Sequence, residues 1–305
     1  MEVLCLGESM VVFAPTTTAS LRHASDLRAG VAGAESNVAI SLALLGARTG
    51  WRGAVGDDPF GRRVLDALRE SGVDCDGVEV DPERPTGVYF KDPTPEGTEV
   101  HYYRAGSAAS AMGPGHLTGV EPPAFLHLSG ITRALSDSCA ELMHELVIDR
   151  ALAPATVSFD VNYRPALWPV ESAAPALAAL ADAADITFVG LDEAETLWGC
   201  KTPEDVRTEL PEVRTLVVKD GGTGVTCFEG ETIHYCPAQP VEIVEPVGAG
   251  DAFAAGFLYG RVRGASPEGC MRLGHRLAAG ALQTIGDLAA PPGPTTVKSI
   301  LEQQT

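Results

Sequence analysis

Residues 248–251 combine two glycines, an alanine and an aspartate directly before an apolar stretch. Phe253 and Phe257 lie four residues apart in that stretch, so they share one face of a helix that begins near Gly250. The first amide groups of a helix have no partner inside it, and the helix dipole is positive at this end. The glycines leave room for a ligand to approach those amides. The segment therefore predicts an anion-binding cradle with one carboxylate, Asp251, at its edge.

The same four residues also have a simpler interpretation. Aspartate is common at the start of helices, and glycines are common in turns. In the catalytic interpretation, the amides hold a phosphoryl group while Asp251 accepts a proton. A glycine motif this short does not decide between the two, so the choice depends on the rest of the chain.

Bulk composition limits the classes of function. The chain has 305 residues, 45% of them hydrophobic, which is enough for one large α/β domain or two smaller ones. Its net charge is −19, and no basic run occurs. This argues against binding to nucleic acid or to a membrane surface. A small anionic ligand remains possible if a few cations are placed locally, and only four lysines are available for that: Lys91, Lys201, Lys219 and Lys298.

The cysteines and the N-terminal residues indicate a cytoplasmic protein. Seven cysteines are scattered without a C-x-x-C motif, which is typical of reduced thiols rather than disulfides or a zinc site. Glu2 and Glu8 flank a short apolar run with no basic region before it, unlike a signal peptide. No apolar segment approaches the ~20 residues that a membrane span needs.

Short apolar runs alternate with helical patterns along the chain. The runs are typical of strands buried on both faces, and the alternation predicts a mostly parallel sheet covered by helices. The predicted strands are residues 3–6, 125–128, 157–159, 186–189 and 216–218. The predicted helices are residues 34–45, 59–71, 136–150, 172–183 and 191–198.

Glycines and polar residues follow several of these strands, including Gly7-Glu8, Ser129-Gly130 and Lys219-Asp220. Ligands of open α/β sheets bind beyond the carboxyl ends of the strands. Polar residues therefore cluster where that rule predicts a binding site.

One region departs from the α/β alternation. Two strand-like runs between Thr86 and Arg104 surround a turn segment at residues 92–97, which predicts a hairpin. Residues 13–31 are also irregular or strand-like. We expect a single domain over residues 1–305, with a small β lid formed from about 13–31 and 86–106. Such a lid would exclude water from reacting phosphates.

Three further groups of residues are candidates for the site. Gly33 precedes a predicted helix whose Asn37 can donate and accept hydrogen bonds, as sugar hydroxyls require. Arg104 and Arg164 lie beside aromatic residues near the predicted ligand edge, and their planar guanidinium groups suit a carboxylate or phosphate. Lys219 precedes a glycine loop that suits a nucleotide, although it matches neither G-x-x-x-x-G-K-[ST] nor G-x-G-x-x-G. A capped turn, surface ion pairs and a plain β-turn are the respective alternatives.

Taken together, these segments resemble the ribokinase (PfkB) family of carbohydrate kinases. The strongest match is the run from Glu245 to Phe253, which is similar to the C-terminal signature of that family. The resemblance also covers residues 33–37, residues 53–61 and the glycine loop after Lys219. Within the family, the stretches at residues 102–108, 128–131 and 160–168 resemble the members that act on 2-keto-3-deoxygluconate.

The resemblance implies a ribokinase-like α/β fold and a kinase that uses ATP and Mg²⁺, with the metal bridging phosphates rather than held by a metal site of the protein. Asp251 would be the general base, and the loop of Gly248, Ala249 and Gly250 would form the anion hole. The implied substrate residues are Gly33, Asn37, Tyr89, Tyr102, Arg104, Arg164, Asp251 and Asp287. The implied nucleotide residues are Asn162, Gly190, Lys219, Gly221, Gly224, Gly248, Ala249, Gly250 and His275.

Four positions depart from the family pattern: Ala32, Gly190, Glu245 and His275. Gly190 and His275 bear on nucleotide selectivity, whereas Glu245 keeps the negative charge of the usual aspartate. The sequence thus predicts an ATP-dependent kinase that phosphorylates 2-keto-3-deoxygluconate to its 6-phosphate. A kinase for a neutral sugar, a non-catalytic nucleotide- or sugar-binding module and, more remotely, a dinucleotide-dependent oxidoreductase are the alternatives. Exposed strand edges on the lid predict a homo-oligomer.

Overall fold

The computed structural model describes residues 1–94, 97–245, 247–284 and 288–303. The strands are β1 Val3–Leu6, β2 Met10–Pro15, β3 Leu27–Ala32, β4 Thr49–Arg52, β5 Ala54–Gly56, β6 Glu79–Asp81, β7 Val88–Thr94, β8 Gly97–Tyr103, β9 Phe125–Ser129, β10 Thr156–Asp160, β11 Ile186–Gly190, β12 Thr215–Asp220, β13 Gly224–Glu229 and β14 Thr232–Pro237. The α-helices are α1 Ala34–Leu44, α2 Pro59–Glu70, α3 Gly130–Arg133, α4 Asp137–Val147, α5 Val170–Ala183, α6 Leu191–Trp198, α7 Pro203–Glu209, α8 Ala249–Val262, α9 Pro267–Leu282 and α10 Pro294–Glu302.

An eight-stranded sheet forms the centre of the molecule. Its order is β14-β13-β12-β11-β10-β9-β1-β4, and the strands from β12 to β4 are parallel. The hairpin of β13 and β14 extends this sheet with antiparallel strands. Because helices cover both faces, strands such as β1 and β11 are buried throughout, as their continuous apolar sequences predict. The predicted α/β class with a mostly parallel sheet is confirmed.

The predicted helices are confirmed with small differences at their ends. For example, α2 begins at Pro59, where the Asp58 carboxylate accepts hydrogen bonds from the amides of Phe60 and Gly61 at 2.9 and 2.7 Å. This side-chain cap satisfies two amides that have no partner within the helix. The strands β4, β5 and β6 and the hairpin of β13 and β14 were not predicted.

A second, four-stranded sheet has the order β3-β2-β7-β8. Its two halves are antiparallel pairs, β2 with β3 and β7 with β8, and β2 pairs with β7 in parallel. We call it the small sheet. Its strands fall largely within the two segments expected to form a lid, although β2 begins three residues before position 13, at Met10. Most of β8 is exposed, in contrast to central strands of the large sheet such as β1 and β11.

Two helices next to the strand ends pack closely through glycines. A Cβ atom on Gly256 of α8 would lie 2.7 Å from the carbonyl oxygen of Leu273 on α9, so only glycine permits this contact. Phe253 and Phe257 of α8 pack on Phe188 of the large sheet, with ring centroids 6.4 and 5.3 Å from it. The start of α8 is therefore held rigidly against the sheet.

Within the described residues, no helix combines the length and hydropathy needed to cross a membrane.

Candidate active site

A cavity of about 940 Å³ lies between the carboxyl ends of the large sheet and the inner face of the small sheet. It brings together residues that are far apart in sequence, from β2 to α9. Of the predicted site residues, those in its wall are Gly33, Asn37, Tyr89, Tyr102, Arg104, Asn162, Arg164, Gly190, Lys219, Gly221, Gly224, Gly248, Ala249, Gly250, Asp251 and His275. The remaining predicted residue, Asp287, lies outside the described residues.

The Gly-Ala-Gly-Asp loop, residues 248–251, forms the start of α8. Gly248 is the N-cap and has a φ of 84°, in the left-handed region that favours glycine. Asp251 lies in the first helical turn, so the amides at this end point toward the cavity without helical partners. A Cβ atom on Gly250 would meet only the Lys219 Nζ, at 3.6 Å. The backbone there is consequently open to a ligand.

Asn37 and Asp251 join α1 to α8 at the bottom of the cavity. The Nδ2 of Asn37 donates a hydrogen bond to Oδ2 of Asp251 at 2.8 Å. The Oδ1 of Asn37 is buried and has no hydrogen-bond partner among the described residues. An unsatisfied buried acceptor is costly, and a ligand hydroxyl would satisfy it.

Gly33 sets the position of α1 next to this pair. It is the N-cap of the helix, and a Cβ atom there would lie 2.2 Å from the backbone oxygen of Glu8. The absence of a side chain thus lets α1 approach the segment after β1 closely.

The cavity has two ends, which we name after the ligands that the sequence predicts for them. The sugar end, next to the small sheet, contains a buried ion pair between Arg104 and Glu8. Their side chains are only 9% and 1% exposed. Ser107 Oγ donates a second hydrogen bond to the Glu8 carboxylate at 2.8 Å. Burial raises the pKa of Glu8, and the Arg104 guanidinium and Ser107 hydroxyl act in the opposite direction. Arg104 therefore lines the cavity with its charge already matched.

Two tyrosines form an aromatic wall beside Arg104. The rings of Tyr89 and Tyr102 lie 5.4 Å apart between centroids, and the Arg104 Cζ lies 5.6 Å from the Tyr102 ring centroid. The quadrupole of an aromatic ring attracts a guanidinium at this distance. The tyrosines thus help to orient the arginine.

Arg164 occupies a more open position. Its side chain is 44% exposed, and its Nη1 donates to the Tyr163 carbonyl at 3.0 Å. The same nitrogen lies 3.8 Å from Oε1 of Glu193. An arginine held this loosely keeps most of its donors available for a ligand.

At the other end of the cavity, which we call the nucleotide end, Lys219 pairs with Asp160. The Lys219 Nζ donates to Oδ2 of Asp160 at 2.9 Å. Burial alone would lower the pKa of Lys219, but the nearby carboxylates of Asp160 and Glu193 give it a net increase, so the lysine is charged. The other oxygen of Asp160, Oδ1, is buried and has no hydrogen-bond partner among the described residues.

Residues with unusual backbone conformations line the same end. Gly221, Gly224 and Asn162 have positive φ values of 45°, 154° and 43°. A Cβ atom on Gly224 would lie 2.6 Å from the Cys236 carbonyl oxygen, so this turn requires glycine. His275 Nε2 lies 3.1 Å from the same oxygen, and burial lowers the pKa of this histidine, which is therefore neutral at pH 7.

Sequence reasoning missed six charged residues of the cavity wall: Glu8, Glu35, Lys91, Asp160, Asp192 and Glu193. Four of these, Glu8, Lys91, Asp160 and Glu193, take part in ion pairs. They matter because each of the four Lys and Arg side chains in the cavity wall faces a carboxylate, in the pairs Arg104–Glu8, Lys91–Glu245, Lys219–Asp160 and Arg164–Glu193. Asp160 and Glu8 lie at or just after the carboxyl ends of buried strands, and this position could have marked them as site residues. The partners themselves lie too far apart in sequence for spacing to reveal them.

This arrangement suits transfer of an anionic group to a hydroxyl. One carboxylate stands at a helix N-terminus with open amides, cations flank it at both ends, and an unsatisfied amide oxygen adjoins it. Among the described residues, no group of three or more His, Cys, Asp or Glu side chains could hold a metal ion.

Comparison with known proteins agrees with this chemistry. Residues 1–292 match the family model described as pfkB family carbohydrate kinase. The chain is 35% identical to a 2-dehydro-3-deoxygluconokinase of Bacillus subtilis, over 100% of this chain and 96% of the relative. It is 34% identical to the 2-dehydro-3-deoxygluconokinase of Thermoproteus tenax, over 99% and 94%.

A solved structure gives the same result. The crystal structure of a PfkB protein from Polaromonas sp. JS666 superposes with a TM-score of 0.87 and 31% identity, over 98% of this chain and 99% of that one. The chain therefore belongs to the pfkB family of carbohydrate kinases.

Proposed function

We propose that this protein transfers the terminal phosphoryl group of ATP to the 6-hydroxyl of 2-keto-3-deoxygluconate (2-dehydro-3-deoxygluconate). The observation that carries the proposal is the position of Asp251, in the first turn of α8 and hydrogen-bonded to Asn37, in a cavity with arginines in its wall. Two relatives at 34–35% identity are named for this activity.

In this proposal Asp251 is the general base. The substrate hydroxyl gives its proton to the Asp251 carboxylate as its oxygen bonds to the γ-phosphorus, and the bond from that phosphorus to the ADP oxygen breaks. The Nδ2 of Asn37 orients the Asp251 carboxylate through the 2.8 Å hydrogen bond that it donates to Oδ2. A base of this kind contributes about 10²–10⁴-fold to the rate.

The Gly-Ala-Gly-Asp loop is the proposed anion hole. The amides of Ala249, Gly250 and Asp251 lie in the first turn of α8, where no carbonyl group of the helix can accept a hydrogen bond from them. The helix dipole adds positive potential at the same end. Phosphoryl transfer depends mainly on positioning and on stabilising charge at the transferring group. A rigid helix start held against Phe188 of the sheet provides both.

The carboxylate of the sugar acid is proposed to bind Arg164 and Arg104. Arg164 is half-exposed and keeps free donors, whereas Arg104 presents a guanidinium fixed by Glu8 and Tyr102. A planar guanidinium matches a carboxylate in a bidentate geometry. Gly33, Tyr89 and Tyr102 complete the sugar pocket in this proposal, and Asp287 stays a prediction.

The nucleotide end fits ATP with Mg²⁺. Asp160 has an unpartnered buried oxygen beside Lys219, and the glycines of the 221–224 turn leave the backbone accessible to a ligand. Lys219 would neutralise phosphate charge there, and Asp160 and Glu193 would receive the hydrated metal. When bound, Mg²⁺ supplies further charge neutralisation of the phosphates. Asn162, Gly190 and His275 would face the nucleotide.

The small sheet is the proposed lid of a single domain spanning residues 1–305. Its outer strands have unpaired edges, and Leu27 and Tyr103 on them are exposed. Covering such edges with a second copy of the chain is a common solution, so we propose a homo-oligomer formed through the small sheet. Light scattering during size-exclusion chromatography tests this, and a purely monomeric profile would refute it. The seven free thiols, six of them buried, favour a cytoplasmic location.

A neutral-sugar kinase is the second candidate, and one observation favours it. Each Lys and Arg of the described cavity wall already faces a carboxylate, so the wall has less uncompensated positive charge than its arginines alone indicate. A substrate without a carboxylate would not disturb these pairs.

The deciding experiment measures ADP release with Mg-ATP on 2-keto-3-deoxygluconate, fructose, ribose and gluconate. Turnover on the keto-deoxy acid alone supports the proposal. Turnover only on a neutral sugar would keep Asp251 as the base and overturn the role given to Arg104 and Arg164.

A further inference from the structure

A buried ion pair connects the small sheet to the segment that leads into the Gly-Ala-Gly-Asp loop. Lys91, on β7, donates from Nζ to Oε1 of Glu245 at 2.8 Å. The two side chains are only 7% and 15% exposed. Neither residue has a part in the chemistry proposed above, yet Lys91 is among the most buried charged residues of the chain.

The two partners belong to different parts of the site. Lys91 follows Tyr89 by two residues, so both side chains are on the same face of β7, toward the cavity. Glu245 precedes Gly248, the N-cap of α8, by three residues, and its amide donates to the carbonyl of Leu282 at the end of α9 at 3.2 Å. The ion pair thus joins the wall of the sugar pocket to the segment that positions the loop.

We propose that Lys91 and Glu245 are positioning residues that hold the small sheet and the Gly-Ala-Gly-Asp loop in register for phosphoryl transfer. The inference rests on the proposed function, in which the sugar binds in the pocket whose wall contains Lys91 and the phosphoryl group binds at the loop that follows Glu245. Removing Lys91 leaves the buried Glu245 carboxylate without its ion-pair partner, and the segment carrying Glu245 moves toward water. Removing the charge of Glu245 breaks the same link from the side of the loop. A shift of about 1 Å between reacting groups costs ~10²-fold in rate.

A shift of the small sheet relative to the loop has a consequence for the reaction that a general loss of stability does not have. The closed small sheet keeps water away from the phosphoryl group. If the pair holds that closure, its loss lets water accept the phosphoryl group in place of the sugar hydroxyl. ADP is then formed in excess of phosphorylated sugar.

The experiment measures ADP and sugar phosphate in the same reaction mixtures for wild type, Lys91→Met, Glu245→Gln and the exchanged pair Lys91→Glu with Glu245→Lys. We expect one ADP per sugar phosphate in wild type. Each single variant should lose about 10–100-fold in kcat and release excess ADP. The exchanged pair should recover most of the kcat and the one-to-one ratio, because it restores opposite charges at the same positions.

Arg261→Met is the matched control. Arg261 lies at the far end of α8 and forms an ion pair with Glu229 at 2.7 Å, with side chains 23% and 32% exposed. The substitution removes an ion pair that also involves α8 but lies away from the cavity. We expect kcat within about 2-fold of wild type and no excess ADP, because positions far from the reacting groups act through stability alone.

The outcomes separate the two proposals. A wild type without activity on any sugar acid overturns the proposed function. An active wild type whose single variants keep wild-type kcat and the one-to-one ratio overturns the positioning role, as does an exchanged pair no better than Lys91→Met. Should Lys91→Met fail to fold by circular dichroism, Glu245→Gln decides alone, since the amide keeps the shape of the side chain and removes only the negative charge that pairs with Lys91.

Discussion

The sugar end and the nucleotide end of the cavity both contain a cation paired with a carboxylate, but the pair at the sugar end is more deeply buried. Glu8 binds Arg104 and Ser107 together and is almost fully buried. Asp160 binds Lys219 through one oxygen, and its other oxygen has no hydrogen-bond partner among the described residues. The Arg104 Nε is likewise buried without a hydrogen-bond partner among the described residues. Both ends therefore keep polar capacity for a ligand, and they differ in the burial of the cation, since the side chain of Arg104 is 9% exposed and that of Lys219 is 18% exposed.

This difference indicates how each end recognises what it binds. A guanidinium fixed by a buried carboxylate and an aromatic ring presents one geometry, so it selects ligands by shape. A lysine with a flexible stem, beside a carboxylate that has one unpartnered oxygen, adapts to a ligand and its counter-ion. Asp251 lies between the two ends, in contact with Asn37 and near Lys219.

The largest expected effect comes from the residue between the two ends. Asp251→Asn should lower kcat by about 10²–10⁴-fold, because the amide cannot accept the hydroxyl proton. ATP affinity, measured by calorimetry, should stay nearly the same, because the nucleotide end is intact. An unchanged kcat would refute the role of Asp251 as base, and binding of both ligands without turnover in wild type would favour a non-catalytic binding module.

Breaking the pair at the sugar end should cost the most stability. Arg104→Met leaves the Glu8 carboxylate buried and uncompensated, at a cost of about 3–5 kcal/mol in the free energy of unfolding. Urea denaturation measures this, and adding Glu8→Gln to the same chain should recover much of the loss. If Arg104→Met is as stable as wild type, the pair does not organise this end as we describe.

A buried histidine beneath the nucleotide end should make stability depend on pH. His127 lies beside Ser158 on the large sheet, and burial lowers its pKa from 6.5 to about 4. Between these two pH values the unfolded chain binds a proton that the folded chain does not, so stability falls as the pH decreases. We expect the free energy of unfolding to fall by about 3 kcal/mol as the pH decreases from 6.5 to 4.

His127→Asn is the test of that dependence, because the asparagine amide can donate to or accept from the Ser158 hydroxyl without titrating. Its free energy of unfolding should fall less between pH 6.5 and 4 than that of wild type. Equal slopes for the two proteins would show that another group causes the acid sensitivity.

The smallest expected effect is at Lys219. Lys219→Met should raise the KM for ATP by about 10–100-fold, as expected for the loss of one charge-assisted hydrogen bond. Its cost in stability should be smaller than that of Arg104→Met, because the pair of Lys219 and Asp160 is less deeply buried than the pair of Arg104 and Glu8. Urea denaturation of both variants checks the order, and the reverse order would contradict the contrast between the two ends.

Local patterns were sufficient to predict much of this fold. The apolar runs of β1 and β11 and the capped start of α2 follow from neighbouring residues alone, and the structure confirms them. Lys219 and its glycine loop were likewise predicted at a strand end, and they line the cavity.

The charge pairs were not predictable in this way. Glu8 and Arg104 are 96 positions apart, and Lys91 and Glu245 are 154 apart, so no spacing rule relates the partners. The sequence indicated two arginines near a ligand edge and gave no sign that carboxylates face them. Such pairs depend on how α1, the small sheet and α8 meet, which only the three-dimensional arrangement defines.

The parallel pairing of β2 with β7 has a consequence for how the molecule folds. It brings Val11 next to Val88, across the residues that build α1, β4 and α2. Contacts between residues so distant in sequence form slowly, because the intervening chain must first lose conformational entropy. We therefore expect the pairing of β2 with β7 to gain protection from hydrogen exchange after the two antiparallel pairs, β2 with β3 and β7 with β8, so that the small sheet is assembled from two preformed halves during refolding.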